Sequence, residues 1–181
     1  MEGTYSIMWA STDLTQTADP TLGADAPDAA GDSLVQGFGS SPDAPRLLFF
    51  TAAGQTCACE LEGVREIIPY CRATRLPGAP SYVTGLINLR GSIITVLDLG
   101  LRLGGDRVDA DRGSVILAQH GASLVGLAVD ELRDVQRVHR GAIEPPDAAA
   151  TRDGLVSGVL RSDDDVVVLL DLSRIVALTF L

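Results

Sequence analysis

The chain has 181 residues, 46% of them hydrophobic and only 4% aromatic, so it can bury a substantial core built mainly of Val, Leu, Ile and Ala. The net charge is −10, every base is an arginine, and residues 1–45 hold seven acids and no base, which leaves 17 acids against 14 bases in residues 46–181. That balance argues against nucleic acid or an anionic membrane surface as the main partner, because either requires a basic patch.

The chain begins Met1-Glu2-Gly3 with neither a basic stretch nor an apolar run behind it, and no apolar segment approaches the ~20 residues of a spanning helix. A cytoplasmic protein with no direct membrane insertion is expected. Three cysteines, an odd number, suit a reducing compartment better than a disulfide framework.

Residues 1–45 are rich in Ala, Asp, Gly, Ser, Thr and Pro without helical or strand periodicity, which predicts a disordered acidic tail. Tyr5, Ile7, Met8 and Trp9 form its one apolar cluster, a candidate docking motif. From Arg46 onward the pattern changes to short apolar runs broken by Gly, Pro and Asp, as in an all-β domain.

That region repeats. Val83-Thr84-Gly85-Leu86 recurs 73 residues later as Val156-Ser157-Gly158-Val159, and Ile93 to Leu99 recurs at the same offset as Val166 to Leu172. Upstream, at an offset of 68, Leu47-Leu48-Phe49 falls on Val115-Ile116-Leu117, and Val64-Arg65-Glu66-Ile67 on Leu132-Arg133-Asp134-Val135. Residues 46–112 and 113–181 are thus two copies of one unit. Each reads as strand, turn, alternating strand, strand, a Pro/Gly-rich connection, strand, turn, strand and short helix. Units of this size close into small five-stranded barrels, so two barrels side by side are expected. In the second strand of copy two, Leu124, Val125, Leu127 and Val129 alternate broadly with Gly126, Ala128 and Asp130, which predicts one buried face.

Cys57 and Cys59 lie two apart on a strand, a spacing that could serve a metal together with Cys71, His120 or His139. Their counterparts in copy two are Val125 and Leu127, so small buried hydrophobes are the better reading, and no metal or cofactor is expected. Asp98 and Asp171 occupy equivalent positions after apolar strands. Two such carboxylates suggest an aspartic-protease-like pair, but Leu99 and Leu172 follow them where D-[TS]-G would be needed, and helix N-capping explains both. Neither G-x-S-x-G nor a phosphate-binding glycine loop is present.

The segment G-L-I-N-L-R-G-S-I-I-T-V-L-D-L, residues 85–99, contains the sole asparagine, Asn88. It resembles the hallmark of the CheW family of chemotaxis coupling proteins, G-x-x-N-L-R-G followed by an apolar strand and a D-L pair. Leu47 to Thr51, Val64-Arg65-Glu66-Ile67 and Gly126-Leu127-Ala128-Val129-Asp130 resemble the family's other strands in order and spacing. The family often has Pro where this chain has Thr95. The resemblance implies two SH3-like β-barrels around a shared hydrophobic interface, with short helices. It also implies a non-enzymatic adaptor that joins the cytoplasmic tips of methyl-accepting chemoreceptors to the regulatory domain of a CheA-type histidine kinase. A scaffold of another signalling complex is the alternative. The expected protein-binding residues are Val64, Glu66, Gly85, Leu86, Asn88, Arg90 and Gly91, with Glu66 and Arg90 paired across neighbouring strands and Val64 and Leu86 as apolar contacts. Copy two has Asp163-Asp164-Asp165 at the equivalent turn, which places the specialised function in copy one.

Overall fold

The structure is a computed structural model, and it describes residues 44–147, 154–161 and 165–179. All of them belong to one compact unit, Gln36–Leu181. The expected tail, with its Tyr5 to Trp9 cluster, lies outside the described residues apart from Ala44 and Pro45.

Copy one supplies β1 (Arg46–Ala52), β2 (Gln55–Glu60), β3 (Val64–Pro69), β4 (Val83–Leu89), β5 (Ser92–Asp98) and the short helix α1 (Leu99–Arg102). Copy two supplies β6 (Ser114–His120), β7 (Ser123–Val129), β8 (Glu131–Arg137), the two-residue β9 (Ile143–Glu144), β10 (Val156–Arg161), β11 (Val166–Leu170) and α2 (Leu172–Thr179). Short apolar runs, turn residues and the capping aspartates mark all of these in the expected order except β9.

The strands assemble into two sheets, ordered β8-β1-β2-β11-β10-β9 and β3-β6-β7-β5-β4, and they form two SH3-like barrels. Each barrel draws on both copies, contrary to the expectation that each copy closes on itself. The second sheet, barrel B, is the continuous stretch of residues 64–129, while the first, barrel A, joins β1 and β2 to β8–β11. The halves 46–112 and 113–181 describe the repeat, but the barrels divide the chain elsewhere. The exchange is mediated by parallel pairing: β5 lies beside β7 and β11 beside β2, so each copy's last hairpin seals against the first hairpin of the other copy within one barrel.

Three apolar clusters follow from this arrangement. Leu47, Phe49, Ala58, Leu160, Val167 and Leu169 fill barrel A, and Ile87, Ile94, Val96, Val115, Leu117 and Ala128 fill barrel B. Between the barrels lies a third cluster that includes Leu48, Phe50, Cys57, Cys59, Leu97, Ile116, Val125, Leu127 and Leu170, closed by Leu172, Ile175 and Val176 of α2. Strand β7 is therefore buried on both faces, where alternation predicted one. Its odd-numbered residues meet barrel A, while Gly126 and Ala128 face barrel B's interior. A side chain at Gly126 would press on Val115 and Val96.

Cys57 and Cys59 are fully buried in this shared core beside their counterparts Val125 and Leu127. Burial pushes both thiols up to about 12, with the Asp130 carboxylate adding to the effect at Cys57 and Cys57 and Glu60 adding to it at Cys59. Among the described residues no helix is long and apolar enough to cross a membrane.

Candidate protein-interaction site

The turn between β4 and β5 is a two-residue loop, Arg90-Gly91, closed by the Leu89–Ser92 pair. Both residues have positive φ, +51° and +87°, as a type I′ hairpin requires. Gly91 adopts this conformation freely; Arg90 does so at a cost of roughly 1–2 kcal/mol. Asn88 fixes the turn, its Oδ1 accepting a hydrogen bond from Gly91 N at 2.9 Å. The left-handed backbone carries the Arg90 side chain back over β3. There Nη2 and Nη1 meet the Glu66 carboxylate at 2.8 and 3.2 Å in a bidentate pair.

The expected Glu66–Arg90 pair is thus present, but its strands are not neighbours. β3 and β4 are the two opposite edges of the barrel B sheet, and curvature brings them together. The pair spans the seam of the barrel. Arg90 is 72% exposed and Glu66 33%, so solvent screens the pair and its contribution to stability is small.

Two hollows flank this seam. The larger, about 700 Å³, is bordered by Glu62, Val64, Arg65, Glu66, Arg90, Gln119 and Gly121. The smaller, about 360 Å³, runs under the same polar ridge to Leu89, Ile94, Leu117 and Leu124 at the mouth of barrel B's core. Of the residues expected at the site, Val64, Glu66 and Arg90 meet here, and Asn88 and Gly91 hold the turn that delivers Arg90. Gly85 and Leu86 do not line either hollow. Gly85 is a β-bulge with φ of +144°, and an added Cβ would lie 2.2 Å from the carbonyl oxygen of Thr74. Leu86 pairs with Thr74 through two backbone hydrogen bonds of 2.8 Å each. Both serve barrel closure, as their counterparts Gly158 and Val159 do against β9.

Arg65 and Gln119 escaped the sequence reading. Arg65 Nη1 donates to Gln119 Oε1 at 3.1 Å, and Gln119 Nε2 donates to Gly121 O at 3.0 Å. Gln119 belongs to copy two, and its arrival beside β3 depends on the exchange of strands. No local signal in the sequence marks it.

The paired aspartates have separate tasks. Asp98, fully buried, accepts from Leu101 N at 3.0 Å and Val108 N at 3.2 Å and lies 3.6 Å from Arg107. Asp171 caps α2 through Arg174 N at 3.0 Å. Each carboxylate is committed to its own helix, and the turn of barrel A at Asp163 and Asp164 lies outside the described residues.

The paired barrels agree with what comparison with known proteins finds. The model of the CheW-like domain matches residues 46–179. The chain belongs to the CheW-like family. The chemotaxis protein CheW of Rhizobium meliloti (strain 1021) is 34% identical over 71% of this chain and 85% of its own length. CheW of Bacillus subtilis (strain 168) is 33% identical over 62% of this chain and 72% of its own. In three dimensions the chain is similar to the crystal structure of the scaffolding protein TtCheW from Thermoanaerobacter tengcongensis. That match has a TM-score of 0.65 and 29% identity, and it covers 71% of this chain and 89% of that one. In this CheW-like chain Thr95 lies mid-strand in β5. It is paired on both sides, with Leu86 of β4 and Val125 of β7, so its N–H sits within a two-sided ladder.

Proposed function

We propose that this CheW-like chain is a non-enzymatic, cytoplasmic adaptor. Residues 46–181 couple methyl-accepting chemoreceptors to a CheA-type histidine kinase in chemosensory signalling. The observation that carries this reading is the convergence of the family's two marked segments, Val64 to Ile67 and Asn88 to Gly91, on one seam of barrel B. There a polar ridge with apolar ground beneath it suits an amphipathic helix. The receptor's helical hairpin tip would dock along that seam, with Arg90 held in place by Glu66. The kinase regulatory domain would engage the remaining barrel surface.

Co-purification tests the reading. The full chain should retain both the regulatory domain of a CheA-type kinase and a soluble chemoreceptor hairpin fragment encoded by the same genome. Arg90→Ala should weaken the receptor fragment and spare the kinase domain. If the chain holds neither partner, the coupling role is wrong and a scaffold of another complex becomes the reading to pursue.

A further inference from the structure

The two arginines of the seam are in opposite electrostatic states. Arg90 has a carboxylate across both of its terminal nitrogens. Arg65, one residue before Glu66 on β3 and exposed, makes a single hydrogen bond, to the neutral Gln119, and forms no ion pair among the described residues. A guanidinium has five N–H donors. Arg65 therefore keeps its full charge and most of its donors, and the side chain is held by a partner that is itself anchored to Gly121 O. It also borders both hollows, together with Glu66, Arg90 and Gln119. Glu62 also borders the larger hollow.

We propose that Arg65 is the residue that binds a carboxylate of the docked receptor helix, that Gln119 is its positioning residue, and that Arg90 neutralises Glu66 beside that site and does not itself contact the partner's acid. This rests on the coupling reading above. A preorganised guanidinium with open donors forms a forked pair with Asp or Glu at low entropic cost, which Arg90 could match only by breaking its bond to Glu66.

The test uses the full chain and the chemoreceptor hairpin fragment, with the kinase regulatory domain as a control. Arg65→Ala should weaken fragment binding about tenfold and flatten its salt dependence, leaving kinase-domain binding unchanged. Gln119→Glu is the sharper variant, and it keeps the proposal falsifiable if Arg65→Ala folds poorly. It supplies an internal carboxylate to Arg65 and gives up the Nε2 bond to Gly121 O, so it should weaken fragment binding about fivefold with the thermal midpoint little changed. A merely structural Gln119 would leave binding intact in that variant. Wild-type binding with either variant within twofold of it overturns this inference alone, whereas a wild-type chain that binds no fragment overturns the coupling reading and this inference with it.

Discussion

Arg90 illustrates how a single residue can be costly to the fold and useful to the site. Its left-handed backbone costs roughly 1–2 kcal/mol, and a screened pair with Glu66 returns about 0.2–1 kcal/mol. Arg90→Gly should therefore leave the urea midpoint unchanged or slightly raised while weakening receptor-fragment binding. Asp98 is the converse case. It is fully buried and bonded to two backbone N–H groups, and Asp98→Ala should destabilise the chain by about 2–3 kcal/mol in urea unfolding. The cysteines give a pH dependence. Their folded values near 12 exceed the ordinary 9.0, so the unfolded chain loses these protons first. Stability they contribute is complete below about pH 9 and falls as pH rises toward 12. A Cys57→Val, Cys59→Leu variant should show a shallower alkaline decline in its unfolding midpoint. At neutral pH a thiol reagent should label half-buried Cys71 well before the other two. The sequence disclosed the burial of Cys57 and Cys59 through their apolar counterparts. It could not disclose that Arg90 is occupied and Arg65 open, since that depends on which side chains curvature brings within 3 Å.

At the scale of elements, the recurring Val-x-Gly entry to β4 and β10 is a closure device. Each glycine marks a bulge where a crossing segment pairs with the strand, Thr74 in barrel B and β9 in barrel A. The two sites should respond differently to alanine. At Gly85 the added Cβ meets a backbone carbonyl at 2.2 Å and requires φ of +144°, so Gly85→Ala should cost roughly 2 kcal/mol or more. At Gly158 the nearest atom is the Ile143 side-chain methyl at 2.5 Å, which can turn aside, so the loss there should be smaller; urea midpoints of the two variants would rank them. Sequence repetition identified these glycines as part of the scaffold. It gave no reason to separate them, because the separation lies in what each backbone approaches.

For the whole molecule, the shared core makes the barrels one cooperative unit. Phe50, Cys57 and Leu170 of barrel A pack with Leu97, Ile116 and Leu127 of barrel B, so thermal unfolding followed by far-UV and near-UV signals should give coincident transitions. Residues 46–112 expressed alone should remain unfolded, since β3 and β5 would lack β6 and β7. Mixing them with residues 113–181 should restore the β-sheet spectrum. The sequence by itself determined the strands other than β9, the helix caps, the repeat and the family, all of which are written in local periodicity and short motifs. Only the tertiary structure decided how strands are exchanged between the two copies, that β3 and β4 meet as opposite edges of one sheet, and that Gln119 from copy two stands beside Arg65 from copy one. Those outcomes depend on contacts between residues far apart in the chain. Two nearly equivalent hairpins can satisfy their hydrogen bonds within either copy or across both, and the shared apolar core, with α2 closing it, favours the exchanged arrangement.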